Sequence, residues 1–452
     1  MKEAIKLEQV MLETSQMLEK HPLLHEKDRY YKLRYLNLLD YFVRKYSADD
    51  PWSEQTLKLY IKKLLKEEDY QYNNFNLQHD AKFVLSTRFY LYPFEIYSYR
   101  YCVIIDCIFI CAYDDKEKAE QIFEELSSVY RWWYRRKICR VFNSLYDTSI
   151  LTWNIKQIEY LKECWNINQA FIKKEPIKVM VTANMSAGKS TLLNALVGKK
   201  ITKTQNDACT AKIHNIVSKP YEDGFCYELD YLLELDADYN TLMEDNLENH
   251  SGEITVGSFF RTINQEPKRI WLIDTPGVNS SQNIEHKLLS EKTICNTDAN
   301  LLIYLLNGEN IGTYDDRRHL MFILEKYCGN IIFVVNKVDR FRKKEDSIQK
   351  TIDTVVSDLI NMGFESPVVV PISAYGAYLA KKQIFAEILD EDEQDEYDRM
   401  VRKMKKEEYQ LETYYPEAVQ EEVHMERDDA SYQLLLHSGL LHLENMIYNE
   451  RR

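Results

Sequence analysis

The sequence predicts an α/β domain, a mostly parallel sheet with helices on both faces, preceded by an all-α N-terminal region. Three observations carry this. All twelve glycines lie at or after Gly188, so the chain before it lacks the residue that most readily interrupts helices. From Ile177 onward, short apolar runs alternate with polar stretches of helix length, the texture of strands buried between helical layers. The first of these runs leads through the small-residue loop Ala183–Thr191 into the amphipathic segment Leu192–Gly198. That strand–loop–helix context makes G-x-x-x-x-G-K-[ST] a phosphate loop rather than a chance string. The domain division is therefore 1–175, helical, and 176–452, α/β, with an acidic insertion near 225–263.

The glycine-free stretch before Gly188 contains only Pro22, Pro51, Pro93 and Pro176 as further breakers. Tyr35, Leu38, Leu39, Phe42, Val43 and Tyr46 recur at helical spacing. Asp50-Pro51 opens a second amphipathic helix through Leu65, proline being suited to the first helical turn. Val103–Ala112 and Ala119–Leu126 read as two more, and Leu151–Lys174 as a last helix before Glu175-Pro176. Leu39–Phe42 before Asp49-Asp50 and Ile105–Ile108 before Asp114-Asp115 hint at one repeated helix-then-acidic-turn unit. Arg131-Trp132-Trp133-Tyr134-Arg135-Arg136-Lys137 is basic and aromatic. A surface for phospholipid headgroups has this composition. The favoured expectation is a helix with its aromatics in the core and its arginines in water.

In the second region, Ile177–Val181, Ala211–Val217, Arg269–Ile273, Leu301–Leu306, Asn330–Val335 and Pro367–Pro371 read as strands, most of them continuous apolar runs. Asp390–Glu396 precedes the basic stretch Arg399–Lys406 and reads as a solvated helix start. Leu434–Glu444 is expected to be one closing helix.

Chemistry-bearing residues follow the strands. In the phosphate loop, backbone N–H groups converge on an anion at a helix N-terminus. Its candidate nucleotide-contacting residues are Asn184, Ala187, Gly188, Lys189, Ser190 and Thr191. Lys189 supplies charge for the β- and γ-phosphates, and Ser190 a hydroxyl for Mg²⁺. Asp274-Thr275-Pro276-Gly277 ends the next motif strand, where Asp274 can hold Mg²⁺ through water and the Gly277 N–H can meet a γ-phosphate. Asn336-Lys337-Val338-Asp339 ends another. Its Asp339 carboxylate can accept from guanine N1–H and N2–H₂, where adenine would present an acceptor. Discrimination built on buried hydrogen bonds reaches on the order of 10⁴-fold. Asn336 can bond N7, the Lys337 stem can cover the base, and Ser373-Ala374 brings a backbone N–H near O6. Four such motifs in order, each at a strand end, predict a guanine-nucleotide site. A Mg²⁺-completing threonine is sought among Thr202, Thr204 and Thr210, and Thr210 is chosen because a strand follows it.

Composition bounds the rest. With 45% hydrophobic and 29% charged residues, 452 residues make a globular protein of two or three domains. A net charge of −14 argues against broad nucleic-acid binding. No run of about 18 apolar residues is present, and the N-terminal Met1–Glu8 has acids where a signal peptide would be apolar. Nine scattered cysteines suit a reducing cytoplasm, and Cys102, Cys107 and Cys111 read as buried core thiols.

Ser186-Ala187-Gly188-Lys189-Ser190-Thr191 resembles the phosphate loop of dynamin-like GTPases. Leu305–Thr313 before Asp315-Asp316-Arg317-Arg318 is similar to bacterial dynamin-like proteins, as is Leu434–Leu443 with its Ser438-Gly439-Leu440. The resemblance covers about Ile177–Tyr448. It implies a P-loop GTPase fold, GTP and GDP with Mg²⁺ as cofactors, and a catalytic set of Ser186, Lys189 and Thr210, with Ser186 stabilising transition-state charge. Ser190, Thr210 and Asp274 would face the metal. Ala183 replaces the first glycine of the motif, and Met185 stands where many dynamins carry a polar residue; both bear on hydrolysis more than on binding. Val278, after Gly277, cannot orient water as the Ras-type glutamine does. The resemblance therefore implies slow monomeric turnover and self-association through the GTPase domain.

Dynamin-like proteins continue into a helical stalk that oligomerises and reaches membrane. Here the helical part precedes the GTPase domain. Either it substitutes for the stalk, or a separate stalk-bearing protein supplies one, or membrane remodelling is not the task. The leading expectation is a cytoplasmic, Mg²⁺-dependent GTPase, peripheral at a membrane if it touches one. The alternative is a GTP-dependent switch that recruits a partner through residues 1–175. A third, an Era-like GTPase acting on RNA, fits Lys189–Asn194 but sits poorly with the acidic balance.

Overall fold

The computed structural model describes residues 12, 14–66, 76–90, 95–152, 155–184, 186–202, 213–230, 232–239, 242, 253–263, 266–276, 284–341, 347–423 and 429–450. The chain divides into two compact units, Met1–Lys174 with Leu232–Leu235, and Glu175–Tyr231 with Asp236–Arg452.

The first unit contains α1 (Ser15–Glu19), α2 (Arg29–Tyr46), α3 (Pro51–Leu65), α4 (Leu77–Val84), an antiparallel ribbon of β1 (Arg88–Tyr90) and β2 (Glu95–Tyr97), α5 (Cys102–Ala112), α6 (Lys116–Val129), α7 (Arg135–Tyr146) and α8 (Glu159–Ile172). The ribbon is an exception to the all-helical expectation. Both acidic turns proposed as a repeat are helix caps. Asp50 accepts from the Trp52 N–H at the start of α3, and Asp115 from the Lys118 N–H at the start of α6. The apolar α5 is buried along its whole length. At its centre the fully buried Asp106 accepts from His21 Nε2 at 3.0 Å, Tyr35 OH at 2.5 Å and Tyr60 OH at 3.0 Å. His21 Nδ1 accepts the Leu23 N–H at 3.1 Å, so its proton sits on Nε2 and points at the carboxylate. Three donors make a buried carboxylate tolerable and pin α2, α3 and α5 in one register. Burial raises the thiols of Cys102, Cys107 and Cys111, the inert state expected of core cysteines.

One sequence expectation fails here. Trp132 and Trp133 are not in the core: they are 75% and 50% exposed, on a short 3₁₀ turn before α7. The inward face of α7 is filled instead by Ile138, Val141, Phe142 and Leu145.

The second unit is built on a nine-stranded sheet, one strand of which, Leu233–Ala237, includes residues grouped with the first unit. Its elements in order are β3 (Ile177–Ala183), α9 (Lys189–Val197), β4 (Ile213–Ser218), β5 (Cys226–Leu229), β6 (Leu233–Ala237), β7 (Glu253–Ser258), β8 (Ile270–Asp274), α10 (Ile284–Asn296), β9 (Leu301–Asn307), α11 (Tyr314–Lys326), β10 (Asn330–Asn336), α12 (Ile348–Met362), β11 (Val368–Ile372), α13 (Ala374–Ile384), α14 (Glu391–Met404), α15 (Glu417–Glu422), α16 (Ala430–His437) and α17 (Leu440–Tyr448). The strand order is β11-β10-β9-β3-β8-β4-β7-β5-β6. From β11 to β8 every pairing is parallel; β4 runs antiparallel to β8. The acidic insertion near 225–263 extends this sheet, β7 pairing parallel with β4 and antiparallel with β5.

The expected closing helix is two helices. Gly439 breaks it at φ 80°, and a Cβ there would lie 2.8 Å from the Pro371 carbonyl. The break lets Ser438 O accept the Ser373 N–H at 3.0 Å, bringing the chain end against the β11 terminus. Among the described residues, no helix is long and apolar enough to cross a membrane.

Burial pushes His319 in α11 and His442 in α17 down to about 4 from 6.5. Both stay neutral in the folded protein while the unfolded chain takes up protons below pH 6.5. Stability therefore falls as pH drops from neutral toward about 4, by about 2 kcal/mol per histidine at pH 5. His319→Phe should flatten this dependence in denaturant titrations at pH 7 and pH 5; an unchanged slope would remove His319 from the account.

Candidate nucleotide-binding site

The parallel register places the motifs side by side. Val181 pairs with both Asp274 and Ile303, Ala183 with Leu305, and Asn336 with both Asn307 and Ile372. The C-terminal ends of β8, β3, β9, β10 and β11 thus open onto one edge, with β3 between its parallel neighbours β8 and β9. Open α/β sheets bind ligands in such crevices.

The phosphate loop leaves β3 at the buried Ala183. Ala183 is absent from the positive-φ residues, so the backbone there accepts a side chain where the motif has glycine. Ser186 and Gly188 do turn left-handed, at φ 62° and 91°. Gly188 precedes α9, whose first residues are Lys189 and Ser190. A Cβ on Gly188 would lie 2.4 Å from Asn336 Nδ2, so glycine is required by a close approach as well as by φ.

That approach binds two motifs together. Asn336 Nδ2 donates to Ala187 O at 2.9 Å, and Asn336 Oδ1 accepts the Ala374 N–H at 3.1 Å. Lys337, itself at φ 65°, donates through Nζ to Ser186 O at 2.6 Å. Asn307 Nδ2 reaches the same carbonyl at 3.4 Å. Ser373 Oγ donates to Asp339 Oδ1 at 2.9 Å and accepts the Gly376 N–H, capping α13. Burial raises the Asp339 carboxyl from its usual range, an effect the Ser373 hydroxyl tempers. Desolvation lowers the Lys337 ammonium. Lys403 of α14 supports the loop from behind, donating to Asp339 O at 2.6 Å and Phe341 O at 2.7 Å.

Lys189 pairs with Asp274 by a salt bridge. Asn184 turns its carboxamide to Asp316 in the first turn of α11, where the cap residue Thr313 accepts the Asp316 N–H and donates its hydroxyl to the Asp316 carboxylate at 2.7 Å. Burial raises the Asp316 carboxyl, against hydrogen bonds from Thr313, Tyr304 and Asn184. Thr202 is fully engaged: its hydroxyl donates, with Ser190 O at 3.1 Å and Asn194 Oδ1 at 3.0 Å as acceptors. It holds the start of the following loop to α9. Thr204, Thr210, Met185, Gly277 and Val278 lie outside the described residues. Asn307, Thr313, Asp316 and Lys403 received no role from the sequence. The first three fall in or beside Leu305–Arg318, already singled out as a motif, whereas Lys403 lies in a charge-rich helix with no local signal.

A hydroxyl (Ser190) and one carboxylate (Asp274) beside a helix N-terminus suit Mg²⁺, which keeps waters and shares substrate phosphates rather than filling an all-protein cage.

Residues 179–338 match the model of the Dynamin family. No curated protein matches the chain. Among solved structures, the chain is similar to one described as an oligomerised bacterial dynamin pair that provides a mechanism for the long-range sensing and tethering of membranes. Identity is 16% over 54% of this chain and 38% of that one, with a TM-score of 0.33. The chain thus spans well under half the length of that dynamin. It is also similar to the G domain of the T. maritima FeoB iron transporter, at 14% identity over 44% of this chain and 89% of that one, TM-score 0.26. A third is Toc33 from Arabidopsis thaliana in complex with Mg²⁺ and GMPPNP, at 14% identity over 46% and 74%, TM-score 0.30.

Gly188→Ala should weaken nucleotide binding by about tenfold or more, since strain of about 1–2 kcal/mol at φ 91° adds to the clash with Asn336. Calorimetric titration with GDP reads this; wild-type affinity would show that the Asn336 contact yields freely.

Proposed function

From the match of residues 179–338 to the Dynamin family model, we propose that the protein binds guanine nucleotides with Mg²⁺ at the strand-end edge of its sheet and hydrolyses GTP through domain pairing. The observation that carries the reading is the lock between the two nucleotide motifs, Asn336 onto Ala187 and Lys337 onto Ser186. A phosphate loop held by a base-recognition loop fits a nucleotide spanning both.

The residues divide the work. The backbone N–H groups opening α9 receive the β-phosphate, and Lys189 exchanges Asp274 for the β- and γ-oxygens. Asp339 offers the oxygen not used by Ser373 to guanine N1–H and N2–H₂. Asn336 is committed to two loop contacts, so its base contact falls to the remaining amide hydrogen. Mg²⁺ held by Ser190, and by Asp274 through water, would neutralise charge on the phosphates. Ser186 would stabilise charge as the γ-phosphoryl leaves, and Thr210 would complete the metal shell. Val278 offers no group to orient water, so a second GTPase domain across the nucleotide supplies that order. The alternative is a switch with weak intrinsic hydrolysis that recruits a partner through its N-terminal helices.

Steady-state GTP hydrolysis per molecule, measured across a wide protein concentration range with Lys189→Ala as the blank, separates the two. Specific activity that climbs with concentration fits domain pairing. Flat, very slow turnover with intact GTP binding contradicts it and leaves the switch. Ser186→Ala should lower turnover by on the order of 10²-fold while GTP affinity stays within a few-fold; equal loss of affinity would make Ser186 a binding residue only.

A further inference from the structure

The overturned expectation at Arg131–Lys137 leaves an unusual surface. α7 buries Ile138, Val141, Phe142 and Leu145, and turns Arg135, Arg136, Cys139, Arg140 and Asn143 to solvent. The 3₁₀ turn before it carries Trp132 and Trp133, 75% and 50% exposed, their rings edge to face at 5.7 Å. Arg131 lies over Trp133 at 5.2 Å, and Lys137 is also exposed. No acidic residue occurs from Arg131 to Tyr146. Among the described residues, none of Arg131, Arg135, Arg136, Lys137 and Arg140 is paired with a carboxylate.

Exposed tryptophans are costly in water, and at 75% and 50% exposure both rings are open to solvent. Indoles settle at the boundary between hydrocarbon and headgroups, where ring and N–H are both satisfied. Five unpaired cations around them call for an anionic partner. The −14 charge of the whole chain does not oppose this at contact, because charges more than about 8 Å away are largely screened at physiological salt.

We propose that the Trp132–Arg140 face docks on an anionic phospholipid bilayer, with both indoles in the headgroup layer and the arginines and Lys137 against lipid phosphates. The inference rests on the helical unit alone and is independent of the nucleotide reading.

The test is sedimentation of the full chain, without nucleotide, with vesicles of phosphatidylserine and phosphatidylcholine or of phosphatidylcholine alone. Wild type should partition onto the phosphatidylserine vesicles and far less onto the others. Trp132→Ala/Trp133→Ala should weaken partition by on the order of tenfold. Arg136→Gln should weaken it by about fivefold, more at low salt than at high. Both variants change exposed side chains, and an unchanged thermal midpoint verifies their folding. Wild type that ignores phosphatidylserine vesicles, or a double variant that partitions like wild type, overturns the proposal. So does tryptophan-dependent capture of a thymidine oligonucleotide without vesicle binding, which assigns the face to single-stranded nucleic acid.

Discussion

The second unit depends on one buried carboxamide. Asn336 ends β10, donates to the phosphate loop at Ala187 and accepts from the loop after β11 at Ala374. Three strand ends are thereby set by one side chain whose donor and acceptor are both used. Leaving such a buried group unpaired costs about 1–3 kcal/mol, so the loops hold their spacing as a set. The position also dictates a neighbour: Gly188 must be glycine because the Asn336 amide occupies the space a Cβ would fill. The phosphate-loop motif and the Asn336–Asp339 motif are therefore two ends of one hydrogen-bonded assembly.

The charged groups around that assembly are partnered within the protein. Lys189 is held by Asp274, Lys337 by the Ser186 carbonyl, and Asn184 by Asp316. Each of these contacts ties the phosphate loop to a different element: the end of β8, the end of β10 and the first turn of α11. A ligand that draws Lys189 away from Asp274 releases the carboxylate in the same step.

Much of this was legible in the sequence for a physical reason. Parallel strands covered on both faces must be apolar throughout, so β3, β8, β9, β10 and β11 read as continuous runs, and the polar residues ending them stand out. Asp50 and Asp115 were legible as boundaries because capping is local chemistry. The misses concern what surrounds an element. The strands after Phe225 are short and interrupted by acidic or polar residues, and they lie toward the sheet edge, where pairing partners, not composition, make a strand. Apolar periodicity runs on through Ser438 and Gly439; the break there answers a carbonyl of Pro371, distant in sequence. Arg131–Lys137 reads the same whether its tryptophans face in or out, since Ile138, Val141, Phe142 and Leu145 already satisfy the interior. The partners of Asn184 and Lys337 are likewise tertiary, and no spacing rule announces them.

Asp339, fixed by Ser373 beside the Asn336 bridge, is the group proposed to select guanine. Equilibrium competition of GDP, ADP and xanthosine diphosphate for the wild type and for Asp339→Asn reads this selection. Wild type should prefer GDP over ADP by orders of magnitude, and the variant should lose GDP and gain the xanthine nucleotide, whose C2 carbonyl accepts from the new amide. Wild type that binds ADP as tightly as GDP, or a variant that keeps its preference for guanine, removes Asp339 from that role.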